Sequence, residues 1–124
     1  MAQVAEISEI AAPARAVAGS RVDIRVTLKN KASVTAGIMI GGILHPVGTH
    51  INFPVDWANF PPGVAYYFDG YFTMPSSGIT LYLNSYYYGE QGAWVPDDFK
   101  TKSVGLEALV PVFSQFQISD YRAV

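Results

Sequence analysis

Two neighbouring segments of this chain alternate side chains with a period of two, a pattern no helix holds on one face. In residues 64–74, Val64, Tyr66, Phe68, Gly70, Phe72 and Met74 share one side; Ala65, Tyr67, Asp69, Tyr71 and Thr73 share the other. In residues 79–88, Ile79, Leu81, Leu83, Ser85 and Tyr87 oppose Thr80, Tyr82, Asn84, Tyr86 and Tyr88. This is the pleat of half-buried strands. Pro61-Pro62-Gly63 and Pro75-Ser76-Ser77-Gly78 supply the flanking turns, because proline fixes φ and glycine accepts the positive φ that closes a turn. More than half of the chain's Phe, Tyr and Trp residues fall between Val64 and Trp94. Large rings bury the most area per residue, so the core is expected here.

Elsewhere the same reading yields further strands. Residues 21–30 (RVDIRVTLKN) alternate most cleanly, with Val22, Ile24, Val26 and Leu28 opposite Arg21, Asp23, Arg25, Thr27 and Lys29. That is an antiparallel strand with one core face and one wet face. Residues 34–44 form another strand, apolar on both sides, whose glycines at 37, 41 and 42 signal a bulge or a close backbone approach. Residues 3–10 fit a short edge strand or a helical turn, and the pattern does not decide between them. Residues 45–60 are irregular, with an edge strand around Thr49–Phe53. Pro96-Asp97-Asp98 is expected to break the chain before a last strand (FKTKSVGLEAL), in which Lys100, Thr101 and Lys102 guard against edge-to-edge pairing.

At 124 residues the chain has room for one domain, burying roughly two-thirds of the surface its unfolded form exposes. It has no cysteine, which excludes disulfides and thiolate metal sites. A net charge of −2, with only 15% charged residues, is too weak and too acidic for phosphate-driven nucleic-acid binding. Glu6 and Glu9 interrupt the N-terminal apolar residues, so no signal peptide is expected. No apolar run approaches the roughly 18–20 residues of a membrane-spanning helix, so no membrane insertion is expected either. The hydrophobic content of 50% is high for a small domain, and partners are expected to cover some of it.

Residues 108–124 form a tail with Leu109, Val110, Val112, Phe113, Phe116, Ile118, Tyr121 and Val124. Disordered tails are poor in such residues. The tail therefore adds a strand to its own sheet or packs on a neighbouring subunit, and the neighbour is favoured. The expected organisation is an N-terminal arm (1–12), a sandwich (13–107) and this apolar tail (108–124).

About 90 residues, Pro13 to Leu106, resemble bacterial and archaeal Ig-like adhesion modules of the CARDB or APHP kind. The resemblance rests on AGSRVDIRVTLKN and on PPGVAYYFDGYFTMP followed by ITLYLNSYYYG. The second half also resembles small Ig-like domains of uncharacterised phage proteins, through the Phe-Thr-Met-Pro turn and the segment holding Trp94, Asp97 and Asp98. Such families imply scaffolding, adhesion or decoration rather than catalysis, although a fold alone does not settle function.

Candidate chemistry is sparse. His45 and His50 lie five apart, but a structural zinc site needs about four ligands. Glu90, Asp97 and Asp98 offer oxygen ligands beside Trp94, without EF-hand spacing. Asp56 and Asp69 would serve as a glycosidase carboxylate pair only if the fold brought them face to face. No G-x-S-x-G motif is present, and Gly41-Gly42 lacks the lysine of a phosphate loop. The chain is read as a non-enzyme without cofactor or metal.

The expected fold is all-β: an Ig-like antiparallel sandwich of about seven strands with an extended C-terminal segment. The expected function is a structural subunit that self-associates or joins other proteins of a virion (decoration, cement or fibre-associated) or extracellular filament. The alternative is a monomeric adhesion or carbohydrate-binding module. Tyr67, Tyr71, Tyr82, Tyr86 and Tyr88, with Phe113, Phe116, Ile118 and Tyr121 of the tail, are the expected partner-binding residues. Tyrosine suits this because a flat apolar ring carries one polar handle.

Overall fold

The computed structural model describes residues 2–108. It contains eight strands and no helix in that range: β1 (Ala5–Ala11), β2 (Arg15–Ala16), β3 (Arg21–Asn30), β4 (Ala36–His45), β5 (Trp57–Phe60), β6 (Ala65–Thr73), β7 (Ile79–Tyr88) and β8 (Trp94–Leu106). They form a three-stranded sheet, β1-β3-β6, and a five-stranded sheet, β2-β8-β7-β4-β5. The fold is the expected all-β sandwich.

The period-two segments fold as their patterns dictate. Val22, Ile24, Val26 and Leu28 of β3 and Phe68 and Phe72 of β6 face inward from the smaller sheet. Ile38, Ile40 and Leu44 of β4 and Ile79, Leu81 and Leu83 of β7 meet them from the larger sheet. Each such side chain contributes roughly 1.5–3 kcal/mol on leaving water. The core is mainly aliphatic, which corrects the expectation of an aromatic core. Phe60, Phe68 and Phe72 are buried, but among the described residues no tyrosine is. A phenol hydroxyl needs a polar partner or water: Tyr67, Tyr71, Tyr82, Tyr86 and Tyr88 take outward positions, while Tyr66 and Tyr87, across from the buried Leu28 and Ile38, are only partly covered.

Four further expectations change. Residues 5–11 are not part of an arm preceding the sandwich: they pair with β3, and Ala5 and Ile7 are buried. A register shift between Ile7 and Glu9 had blurred their alternation. The chain then crosses to the other sheet after Pro13, so β2 runs parallel to β8 and the sandwich is not wholly antiparallel. Residues 49–53 make only two isolated bridges, Ile43↔His50 and Asn52↔Tyr71, which tie the edges of the two sheets together. The edge strand is β5 instead, paired with β4 through Met39↔Trp57 and Gly37↔Asn59. Lastly, Pro96-Asp97-Asp98 does not break the last strand. It is a bulge within β8, opposite the register shift between Asn84 and Tyr86. The tail residues Phe113, Phe116, Ile118 and Tyr121 lie outside the described residues.

Candidate functional site: the outer face of the larger sheet

The two outer faces differ in chemistry. On the smaller sheet, the outward positions of β3 and β6 carry Arg21, Asp23, Arg25, Lys29 and Asp69. Arg25 sits directly across from Asp69, and its Nε donates to Asp69 Oδ1 at 2.8 Å. That hydrogen bond holds the Asp69 carboxyl below its ordinary value and raises the Arg25 guanidinium. The Arg25 guanidinium lies 3.8 Å over the Tyr67 ring, and that of Arg21 lies 4.0 Å over Tyr71. Cations capping exposed rings make this a solvated, charge-laced surface.

The larger sheet presents no such charges. Successive cross-strand rows bring Tyr82 beside Ile43, Phe99 beside Asn84 and Gly41, and Tyr86 beside Met39 and Trp57. The last row holds Trp94 beside Tyr88, and Asn59 beside Gly37. None of these outward positions on β4, β5, β7 and β8 is Asp, Glu, Lys or Arg. His45 stacks flat on Tyr82, with ring centroids 4.4 Å apart, and Phe99 meets Tyr82 edge-on at 5.4 Å. Trp57, Tyr88 and Phe99 remain 50%, 54% and 51% exposed. This many open rings without a charge is unusual for a surface that faces only water.

At one end of this face a groove of about 940 Å³ opens between the residues 31–35 connection and the turn after β7. Trp94 contacts both other rings there: Trp57 at 6.1 Å and 62°, and Tyr88 at 5.3 Å and 76°. Thr35, Asp56, Asn59 and Glu90 bring polar groups, and among the described residues no basic side chain lines it. Gly37 forms part of this wall: a Cβ there would make ordinary contact with Tyr88 Cβ at 3.4 Å and Trp94 Cη2 at 3.7 Å, and only a longer side chain would enter the groove.

The expected partner-binding tyrosines are therefore not one surface. Tyr82, Tyr86 and Tyr88 share the larger sheet, whereas Tyr67 and Tyr71 lie under arginines on the smaller one. Trp57, Asn59, Met39 and Phe99 were absent from the sequence-based set. The β5 residues were hidden because Pro54 and a short run made that region look irregular. The presence of only two tryptophans, both in this groove, was the available signal.

The remaining candidates resolve locally. Asp97 and Asp98 accept the backbone N–H groups of Gln3, Val4, Ala5, Ile7 and Phe99, so each of their oxygens is engaged by the fold. Asp69 is paired with Arg25 on the smaller sheet, while Asp56 lines the groove on the larger one, so they form no catalytic pair. Among the described residues, no group of three or more His, Cys, Asp or Glu side chains is arranged to hold a metal.

No protein-family model matches the chain, and no curated protein sequence matches it. Solved structures do share its fold. The CARDB domain of the PF1109 protein from Pyrococcus furiosus, solved in complex with di-metal ions, is 14% identical with a TM-score of 0.59. The match covers 85% of this chain and 90% of that one. The alkylpurine DNA glycosylase AlkC of Pseudomonas fluorescens, bound to DNA with an abasic site analog, is 11% identical with a TM-score of 0.59. There the match covers 84% of this chain but only 30% of the enzyme's chain. Likeness at this identity bears on fold alone, and it agrees with the CARDB-like resemblance read from the sequence.

Proposed function

We propose that this chain is a non-enzymatic structural subunit that self-associates through the outer face of its larger sheet. The observation that carries the reading is the contrast between the two outer faces: one charged and capped, the other aromatic and free of Asp, Glu, Lys and Arg. Interface cores are enriched in Tyr, Trp, Phe and Met and depleted in charge, which is the composition of Met39, Tyr82, Tyr86 and Phe99. An uncharged face does not repel its own copy. Edge-to-edge pairing is opposed by Lys100 and Lys102, which project on the core side of the pleat from the stretch of β8 that pairs, among the described residues, with β7 alone. Association is thus directed to the faces. A repeating array, such as a virion decoration layer or an extracellular filament, is the setting we infer for such a unit.

Sedimentation velocity tests this. The wild-type chain is expected to sediment as an oligomer, and Phe99→Lys or Tyr86→Lys as a monomer with unchanged far-UV circular dichroism. Thr27→Lys, on the other sheet, should leave the oligomer intact. A wild-type chain that remains monomeric at high concentration would reject self-association and favour the alternative of a monomeric adhesion module.

A further inference from the structure

We propose that the groove formed by Trp57, Tyr88 and Trp94 binds a neutral saccharide chain. Its volume of about 940 Å³ falls within the roughly 300–1,000 Å³ of ligand sites, which are mostly apolar with a few placed polar groups. The rings are held rather than loose. Trp94 is wedged edge-on against both Trp57 and Tyr88, which fixes the tilt of the ring faces that remain open.

The polar complement decides the ligand class. Asp56, Glu90 and the Asn59 side-chain oxygen are acceptors at the margin of the rings, and the Asn59 amide is a donor. Among the described residues no Lys, Arg or His lines the groove, so none of them would neutralise a phosphate, sulfate or uronate. The two carboxylates would repel such groups. A neutral sugar presents the complementary surface: an apolar face of C–H groups for the rings, and a rim of hydroxyls that donate to carboxylates. The groove is open to solvent rather than enclosed, which leaves room for a chain as well as a single sugar. Gly37 adds the shape requirement, because a larger side chain would project among Asn59, Tyr88 and Trp94.

This proposal does not depend on self-association. The groove shares Met39 with the proposed interface but occupies the end of the face beside the residues 31–35 connection, while Tyr82 and Phe99 lie farther along the sheet.

Both tryptophans of the chain stand in the groove, so tryptophan emission reports on this site alone. The full chain is titrated with soluble β-glucan, galactomannan and xylan, and with polygalacturonate as the anionic comparison. Affinity electrophoresis in the same polymers gives a second readout. A saturable emission change with at least one neutral polymer, and none with polygalacturonate, is expected. Trp57→Ala should weaken retardation in the gel at least about tenfold, as truncation of a central ring does. Asn59→Ala should also weaken it, and Gly37→Leu should block it. Phe99→Lys should keep sugar binding even where it abolishes oligomers, which separates this proposal from the assembly reading. No saturable response to any neutral polymer, undiminished binding by Trp57→Ala, or preference for polygalacturonate would each overturn it.

Discussion

Asp97 Oδ2 accepts the backbone N–H of Ala5 at 2.6 Å, joining two sheets through residues 92 positions apart. The same carboxylate accepts the N–H groups of Gln3 and Val4, and Asp98 accepts that of Ile7 at 2.9 Å. Among the described residues, β1 is an edge strand paired on one side only, with β3. The bulge in β8 aims two acidic side chains at its other edge, where they accept backbone N–H groups as a strand's carbonyls would. Acceptors that are ionised make stronger hydrogen bonds than carbonyls do.

Removal of this clamp should therefore be felt. Asp97→Ala is expected to lower stability by about 1–3 kcal/mol, because the bonds lost have a charged partner and leave amides unpaired. Urea unfolding measures the loss, and hydrogen exchange should show faster exchange at Gln3, Val4 and Ala5. Unchanged exchange at those three amides would contradict the clamp.

Ser85 completes the same junction from the interior. Its buried hydroxyl donates to the Ala5 carbonyl at 2.6 Å and accepts the Asp98 N–H at 3.0 Å. Ser85→Ala leaves a buried carbonyl and a part-buried N–H without partners, and a loss of about 1–3 kcal/mol is expected. A neutral result in thermal or urea unfolding would mean that water replaces the hydroxyl.

Asn30 should tolerate no close substitute. Its side-chain amide donates to the carbonyls of Val34 and Phe60, both at 2.9 Å, and its oxygen accepts the Ala32 N–H at 2.8 Å. Asn30→Asp puts a carboxylate without a donor against those carbonyls in a fully buried position. It is expected to destabilise more at pH 7 than at pH 4, where protonation restores a donor. Equal losses at the two pH values would refute this account.

Adjacent glycines of β4 should differ. A Cβ at Gly42 would meet Leu83 Cδ2 at 2.7 Å and the Tyr82 carbonyl oxygen at 3.0 Å, whereas one at Gly41 would meet Tyr86 Cε1 at 3.5 Å. Gly42→Ala is thus expected to cost about 1–3 kcal/mol by overpacking. Gly41→Ala should be neutral or slightly stabilising. Paired denaturation curves decide it, and equal effects would argue against the close approach.

The Arg25–Asp69 pair has a pH signature. Because the folded carboxyl is held below its ordinary value, its contribution is present above the unfolded pKa and is lost as pH falls through the folded one. Both groups are exposed, so the effect on stability should be small. Carboxyl titration by NMR should show Asp69 with a lowered midpoint that Arg25→Gln returns to the ordinary range. A midpoint indifferent to that change would deny the pairing.

Strands β3, β6 and β7 were legible in the chain because an exact period of two survives in sequence wherever no residue is inserted. The bulge in β8, the shift in β1 and the brevity of β5 each interrupt that period, so these three were misplaced or left undecided. The acidic pair after Pro96 looked like turn chemistry for the same local reason, although its partners lie more than ninety residues away.

Alternation told which side chains share a face within one strand, since the pleat ties that to position alone. It carried no information on which sheet a strand joins. Tyr67 and Tyr82 look equivalent in sequence, yet one lies beneath Arg25 on the small sheet and the other stacks on His45 across the large one. Sheet membership is set by long-range pairing and packing between strands. Only the folded chain could therefore bring Trp57, Tyr88 and Trp94 into one groove.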